Sequence, residues 1–372
     1  MCGEVSGSDR GNGRNAIGGG LIMPQMTFLT FGGRAVASTR LRVLQFLPLL
    51  EEAGYQVEVY PPARSSRGVA RITERRREEK ELLRAVAGTD IVFVQKRLFR
   101  SKFFARLREV GGRVVFDFDD AVYGGRHPRL SPTRARAALR FTAAVRAADL
   151  VIAGNSWLAA SAHAPEKTVV LPTAVDLARY RLPPPSSSGG EVVVGWIGSS
   201  VNFRYLADVV PVLRRLRSEG VPLRLVVIAD RPFRAGGVEI VNRRWSEISE
   251  VRDILEMDMG IMPLATDDWT RGKCAYKALQ YMACGIPAVC TDFGAARDII
   301  ESGRNGFLCR TQEEWGQVLR MLAADPGLRE RIGREGRRTV EEYFSRDVVG
   351  RRLVRLLDDL TAGRGGQGSG GP

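Results

Sequence analysis

The sequence EVVVGWIGSS at residues 191–200 opens the pattern that decides the fold. It is followed by a helical pattern from Asn202 to Ser218 and by a second apolar run, LRLVVIA, at residues 223–229. Short apolar runs rich in Val and Ile are typical of buried strands, and a helix between two such strands is the repeating unit of a parallel sheet. We therefore expect an α/β protein built from βαβ units.

The same alternation extends in both directions and forms two series. Upstream, strands are predicted at 26–31, 56–60, 91–95, 113–118, 150–153 and 168–171, and helices at 41–53, 72–87, 99–110 and 135–147. Downstream, further strands are predicted at 238–242, 259–263 and 288–291, and helices at 273–284, 312–324, 326–342 and 346–360.

The stretch PPPSSSGG at residues 183–190 separates the two series, and such residues favour extended, flexible backbone. We predict two Rossmann-like domains, 26–180 and 191–345, joined by a linker at 181–190 and facing each other across a central cleft. A C-terminal helix at 346–362 is expected to pack back toward the N-terminal domain. The flanking segments 1–25 and 363–372 are expected to be disordered.

The charge balance favours anionic partners. The net charge is +14, which predicts binding of phosphorylated ligands or an anionic membrane face. Only six of the 56 basic residues are Lys, and so uniform an Arg excess is equally explained by genome composition. Because no basic stripe is interleaved with aromatic residues, nucleic acid is not an expected partner.

Metal sites and membrane spans are not expected. The five cysteines form no CxxC pair, and with two histidines they give no set of zinc ligands at tight spacing. No apolar run approaches the ~20 residues of a membrane span, and Glu4 and Asp9 are unlike a signal peptide. We expect a cytoplasmic protein, with peripheral binding to the inner membrane face as an open alternative.

Three carboxylates end one of the predicted strands. Asp117 and Asp119 share a face of the strand in VVFDFDD, and Asp120 begins the loop. Crowded carboxylates raise at least one pKa and can supply a base or orient a hydroxyl, so Asp119 and Asp120 are predicted catalytic residues. The alternative is a solvated acidic cap.

The turn after the first strand is the predicted acceptor site. Gly32 and Gly33 form a tight strand-to-helix turn that lets a ligand approach the backbone, although many such turns are only turns. Gly33, together with Ser38 and Arg40 after it, is predicted to bind a hydroxylated or anionic acceptor.

The strongest chemical signal is WTRGKCAYKALQYMACGIPAVC at residues 269–290. Arg271 and Lys273 lie at the predicted helix start, where their charge adds to the positive end of the helix dipole, so both are predicted catalytic residues that neutralise a diphosphate. Lys273, Lys277 and Gln280 fall at helical spacings and are predicted to share one face, with a solvated basic face as the alternative.

The turn that follows strand 191–197 is the second predicted donor contact. Gly198, Ser199 and Ser200 would place backbone N–H groups and hydroxyls at phosphates, the alternative being an ordinary helix cap. With Lys277 and Gln280 they make up the predicted donor-binding residues.

Several of these segments together resemble the nucleotide-sugar-dependent glycosyltransferases of family 4. The matching stretches are RLRVLQ (40–45), DFDDA (117–121), VIAGNSWL (151–158), LPTAVD (171–176), GWIGS (195–199), YMACGIPAV (281–289) and NGFL (305–308). The resemblance covers roughly residues 26–345. It implies the GT-B fold, with the nucleotide sugar held by the C-terminal domain, and a reaction without a metal that retains the anomeric configuration.

The chain departs from that family at one motif. The resemblance implies a Glu, seven residues, Glu pattern that contacts sugar and ribose, but its two positions fall on Gly272 and Gln280. Gln280 can still hydrogen-bond hydroxyls through its amide. The missing first Glu leaves the identity of the donor sugar open.

The resemblance and the residues together predict a retaining glycosyltransferase. It would move a sugar from a nucleoside diphosphate sugar, a co-substrate rather than a cofactor, to a glycan, a lipid-linked or a small-molecule hydroxyl acceptor. Two alternatives are an epimerase or hydrolase of nucleotide sugars, and a protein that binds nucleotide sugars without turnover.

Overall fold

The computed structural model describes residues 23–62, 70–124, 131–180, 182 and 190–362. Most of the predicted N-terminal extension, nearly all of the linker and the predicted tail lie outside the described residues, as do Cys2 and His127.

The N-terminal sheet has six parallel strands in the order β2-β1-β3-β4-β5-β6. The strands are β1 (Gln25–Leu29), β2 (Gln56–Tyr60), β3 (Ile91–Gln95), β4 (Arg113–Phe118), β5 (Leu150–Ala153) and β6 (Thr168–Val170). Its central strands are apolar on both faces because helices cover both sides, as is usual for parallel sheets.

The C-terminal sheet repeats the design, in the order β12-β11-β10-β7-β8-β9. Its strands are β7 (Val192–Ile197), β8 (Leu223–Ala229), β9 (Ile240–Arg244), β10 (Met259–Met262), β11 (Ala288–Thr291) and β12 (Phe307–Cys309). All of its pairings are parallel. The edge strand β12 was not predicted.

The helices of the N-terminal part are α1 (Ala37–Arg42), α2 (Leu47–Glu52), α3 (Ala70–Ala85), α4 (Ser101–Val110), α5 (Pro132–Ala147) and α6 (Ser156–Ser161). Those that follow are α7 (Phe203–Ala207), α8 (Val210–Ser218), α9 (Glu250–Ile254), α10 (Asp268–Arg271), α11 (Tyr276–Ala283), α12 (Ala296–Ile299), α13 (Gln312–Ala324), α14 (Pro326–Thr339) and α15 (Arg346–Ala362). Among the described helices, none is long and apolar enough to cross a membrane.

Three predicted helices are wrong in extent. The helices expected at 41–53 and 202–218 are each broken, and each restarts with a proline in its first turn, Pro48 and Pro211. Proline has no N–H to continue the preceding helix. The helix expected at 273–284 begins at Tyr276, because Ala275 has the left-handed value φ 51°.

The C-terminal helix returns to the N-terminal domain, as predicted. Val349, Leu353 and Leu357 of α15 belong to the apolar cluster that includes Phe46 and Leu50. Described residues on either side of the junction between the domains, at 171–180 and 340–346, lie side by side. They pair where Val175 and Ser345 form an isolated bridge. This architecture confirms the predicted α/β fold with two Rossmann-like domains.

Candidate functional site

A cavity of about 610 Å³ lies between the domains, at the carboxyl ends of strands from both sheets. Such crevices are where open α/β sheets bind ligands. Nine of the predicted site residues line it: Ser38, Arg40, Asp119, Asp120, Gly198, Ser199, Lys273, Lys277 and Gln280.

Three predicted site residues do not line this cavity. Gly33 is exposed, with no heavy atom within 4 Å of the position of a Cβ. The backbone N–H and the hydroxyl of Ser200 both donate to Asp230, at 2.6 and 2.8 Å, and are not free for a phosphate. The guanidinium of Arg271 lies over the Phe293 ring, 4.9 Å from its centroid.

Asp117, the first of the three carboxylates, is sealed off from the cavity. It is buried and ion-paired with Arg42, which also donates to the carbonyl oxygen of Leu171 at 2.7 Å. Burial raises the pKa of Asp117, although the Arg42 charge opposes the shift. The raised pKa expected from the crowded acids therefore belongs to a side chain that a ligand in the cleft cannot reach.

Asp119 and Asp120 are both neutralised by lysines. Asp119 accepts from the Ser38 hydroxyl at 2.8 Å and pairs with Lys96 at 2.8 Å. Asp120 pairs with Lys96 and, at 3.0 Å, with Lys273 from the other domain. Burial raises the pKa of Asp119, but the charges of Lys96 and Arg42 outweigh it and hold that pKa below its ordinary value. The raised pKa predicted for at least one of the acids is therefore that of Asp117 and not that of Asp119.

Lys96 is a site residue that sequence reasoning missed. It follows β3 in the left-handed conformation, φ 62°, and its side chain is 8% exposed. Burial lowers the pKa of Lys96, but the two carboxylates outweigh burial and raise it above its ordinary value. The only signal in the sequence was a rare lysine at the carboxyl end of a buried strand.

The loop before α11 docks against the N-terminal domain. The side-chain amide of Asn155 donates to the carbonyl oxygen of Lys273 at 3.2 Å, and the Cys274 thiol donates to the carbonyl oxygen of Asp119 at 3.3 Å. A Cβ on Gly272 would lie 2.9 Å from the backbone nitrogen of Ala121. The position of the missing first Glu therefore has no room for a side chain as the domains are arranged.

Lys277 is an ammonium group with no acidic partner among the described residues. It is half-buried, its Nζ lies 5.2 Å from the centroid of the Trp196 ring, and no ion pair joins it to another residue in the described part of the chain. Gly198 makes room for it, since a Cβ there would lie 2.6 Å from Lys277 Cε. Burial, aided by the charge of Lys273, lowers the pKa of Lys277 to about 8.

Gln280 belongs to a buried polar cluster that also contains Glu250. The Gln280 amide donates to the Tyr180 hydroxyl at 2.9 Å, and that hydroxyl donates to Glu250 at 2.7 Å. The indole N–H of Trp245 donates to the other oxygen of Glu250, also at 2.7 Å. Glu250 and Trp245 line the cavity, and neither was predicted, because only the fold brings α9 beside α11.

The rim of the cleft is bridged near Trp245. The Arg40 guanidinium lies 5.3 Å from the centroid of the Trp245 ring, and Arg34 pairs with Glu247 at 3.3 Å. Among the described residues, no group of three or more His, Cys, Asp or Glu side chains could hold a metal ion.

Comparison with known proteins shows which proteins this chain is similar to. Residues 191–325 match the family model of Glycosyl transferases group 1. The N-acetyl-α-D-glucosaminyl L-malate synthase of Bacillus anthracis is 23% identical over 184 residues, which is 46% of this chain and 47% of that protein. The chain thus matches about half the length of this curated relative.

Solved structures match over nearly the whole chain. HepE of Anabaena, solved in complex with UDP and glucose, has a TM-score of 0.65 at 16% identity and covers 90% of this chain and 99% of its own. The sucrose-phosphate synthase of Thermosynechococcus elongatus has a TM-score of 0.66 at 13% identity, over 91% and 100% of the two chains. Together the matches confirm the GT-B fold and the resemblance to glycosyltransferases.

Proposed function

Starting from a GT-B chain whose residues 191–325 match the group 1 glycosyl transferases, we propose that this protein transfers a sugar from a nucleoside diphosphate sugar to a hydroxyl acceptor. The anomeric configuration is retained and no metal takes part. The observation that carries the proposal is the half-buried, unpaired ammonium of Lys277 in the cleft, beside Lys273.

The two lysines suit a diphosphate leaving group. Negative charge grows on the diphosphate as its bond to the sugar breaks, and cations already in place stabilise that charge without reorganisation. Lys277 contributes its full charge, whereas Lys273 shares its charge with Asp120. Arg271 was predicted to act alongside them; we propose that it supports the loop through Phe293 instead.

The ion pairs that Asp119 and Asp120 make with lysines support retention of the anomeric configuration. Asp119 and Asp120 are held by lysines and are poor nucleophiles, so we propose direct transfer on one face of the sugar. The acceptor oxygen bonds to the anomeric carbon as the carbon–phosphate oxygen bond breaks, and the hydroxyl proton passes to the leaving phosphate oxygen. Asp119 and Asp120, with Ser38 and Arg40, orient the acceptor.

The acceptor side fits a polar, hydroxylated molecule. The N-terminal wall presents Ser38, Arg40 and the paired acids at one end of the cavity. We propose a glycan, a lipid-linked or a small-molecule acceptor there. With the net charge of +14, an anionic membrane surface is a proposed further partner.

Nucleotide binding tests the proposal first. UDP, GDP and ADP are titrated into the wild type, with and without EDTA, and binding is measured by calorimetry. Lys277→Met, which keeps the aliphatic contact with Trp196, is expected to lose affinity by about tenfold or more, since hydrogen bonds to charged groups contribute roughly 1.5–3 kcal/mol. Lys102→Met removes an exposed lysine outside the cavity and should bind as the wild type does.

The result separates the alternatives. A wild type that binds none of the three nucleotides contradicts the proposal. Binding followed by release of free diphosphate without an acceptor indicates a hydrolase or epimerase, and binding without any turnover indicates a non-catalytic protein. The anomeric proton coupling of the product measures retention.

A further inference from the structure

A second cavity between the domains takes no part in the proposed transfer. Its volume is about 320 Å³, at the small end of the range of roughly 300–1,000 Å³ for ligand sites. We name it the aromatic pocket; its lining includes Tyr123, Arg134, Trp157 and His163 of the N-terminal domain and Asp268 and Trp269 of α10. The two tryptophans come from the motifs at 151–158 and 269–290, and the proposed transfer uses neither of them.

Three aromatic side chains give the pocket its apolar surface. Tyr123, Trp157 and Trp269 are half-buried and line the pocket. The rings of Tyr123 and Trp157 lie 6.2 Å apart between centroids and are tilted by 36°. Rings in this arrangement form no parallel slot for a flat base, whereas a sugar needs only one negative ring face for its C–H groups. The aromatic surface therefore favours a sugar over a nucleobase.

The polar groups of the pocket suit a neutral, hydroxylated ligand. Arg134 brings hydrogen-bond donors and Asp268 brings acceptors, while the His163 imidazole can do either. Burial raises the pKa of Tyr123, and the charges of Asp268 and Arg134 shift that pKa in opposite directions, so both lie near the phenol. An apolar chain in the pocket would desolvate these groups without replacing their hydrogen bonds to water.

The backbone at His163 supports a role for this side chain. His163 has the left-handed value φ 51°. In the part of the chain that the structure describes, the other non-glycine residues with positive φ are Lys96 and Ala275. Both belong to the cleft, since Lys96 pairs with its acids and Ala275 lines its cavity. Unfavourable backbone conformations cluster at functional sites, and the third one lies at the aromatic pocket.

The aromatic pocket adjoins the proposed transfer site but is separate from it. Ala121 lines the pocket, whereas the preceding residue, Asp120, lines the cleft. A Cβ on Gly272 would lie 2.9 Å from the backbone nitrogen of Ala121, so close packing divides the two cavities. Across this contact, Lys273 Nζ lies 4.6 Å from the centroid of the Trp269 ring. A ligand in the pocket would therefore bind beside the reacting groups without touching them.

We propose that the aromatic pocket binds one neutral sugar ring of a glycan, away from the hydroxyl that receives the transferred sugar. That this glycan is the acceptor rests on the proposed function, whereas binding of the sugar in the pocket does not. The pocket then selects a glycan over a small-molecule acceptor, because only an extended acceptor can occupy both cavities.

Binding of simple glycosides tests the inference. Methyl α-D-glucopyranoside, methyl β-D-glucopyranoside and methyl β-D-galactopyranoside are added to the protein, and binding is measured by saturation-transfer NMR. At least one should bind the wild type. Trp157→Leu should weaken that binding by up to about tenfold, because an aromatic ring contributes beyond the area that it buries. Trp245→Leu changes a tryptophan of the cleft and is the matched control, which should bind the glycoside as the wild type does.

A second variant separates binding from folding. His163→Gly removes the imidazole, and glycine adopts φ 51° without steric cost. It should therefore weaken glycoside binding without lowering the melting temperature.

The outcomes are distinct from those of the nucleotide titrations. The inference is overturned if no glycoside binds, if Trp157→Leu and His163→Gly both bind as the wild type does, or if Trp245→Leu loses the binding. Both pocket variants should bind UDP, GDP or ADP as the wild type does. A wild type that binds glycosides in the pocket but no nucleotide contradicts the proposed function alone.

Discussion

The two walls of the cleft hold their charges in different ways. On the N-terminal wall, Asp119 and Asp120 share Lys96, and Asp120 also pairs with Lys273. On the C-terminal wall, Lys277 and Glu250 have no ion pair with any described residue, although Glu250 is buried and Lys277 is half-buried. Buried charges are normally paired, so the N-terminal wall follows the usual rule, whereas the C-terminal wall leaves an ammonium and a carboxylate without an ion-pair partner among the described residues.

Removing Lys96, the cation shared by the acids of the N-terminal wall, should have the largest effect on stability. Lys96→Met leaves two largely buried carboxylates without their common cation, and we expect a loss of about 3–5 kcal/mol in the free energy of unfolding. Chemical denaturation measures it. Lys277→Met, by contrast, should leave stability unchanged or raise it, and equal destabilisation by the two variants would contradict the comparison.

Adding a side chain where the loop before α11 contacts the N-terminal domain should have the next largest effect on stability. Gly272→Ala places a Cβ 2.9 Å from the backbone nitrogen of Ala121, and we expect a loss of about 1–3 kcal/mol of stability from overpacking. Gly33→Ala, where no atom lies within 4 Å, is the control and should change stability little. A neutral Gly272→Ala would mean that the loop and the N-terminal domain separate easily.

The unpaired ammonium should make nucleotide binding depend on pH. Lys277 has a pKa of about 8 in the free protein, and a bound diphosphate would raise that pKa. Affinity is therefore greatest well below pH 8 and falls as pH rises through and above 8, by up to about tenfold per pH unit. Calorimetry from pH 7 to 9.5 measures the fall. Lys277→Arg stays protonated throughout and should remove the dependence; an equal fall in both proteins would assign it elsewhere.

The smallest effect is expected at Ser200. Because its N–H and hydroxyl bind Asp230, Ser200→Ala should cost about 1 kcal/mol of stability and leave nucleotide affinity unchanged. Thermal melts with and without nucleotide measure both. A clear loss of affinity would restore Ser200 to the donor site.

The sequence predicted the fold better than it predicted the site. Strand positions follow from local Val- and Ile-rich runs, so the core of each sheet could be predicted, whereas the proline-broken helices and the short strand β12 could not. The roles of Asp117 and Ser200 depend on Arg42 and Asp230, partners that only the tertiary structure brings near. Lys96 and Glu250 lie outside the motifs; the signal for Lys96 was only its rarity as a lysine at the end of a buried strand, and Glu250 carries no local signal.

The pairing of Val175 with Ser345 has a consequence for the engineering of this chain. The backbone N–H of Val175 donates to the carbonyl oxygen of Phe344, and that of Arg346 donates to the carbonyl oxygen of Val175, both at 2.8 Å. With α15 packed on the first domain, the second domain lies in the sequence between two segments that pair at Val175 and Ser345. A chimera that exchanges the second domain needs two junctions. With a single junction, α15 would come from the other protein and would no longer match the first domain on which it packs.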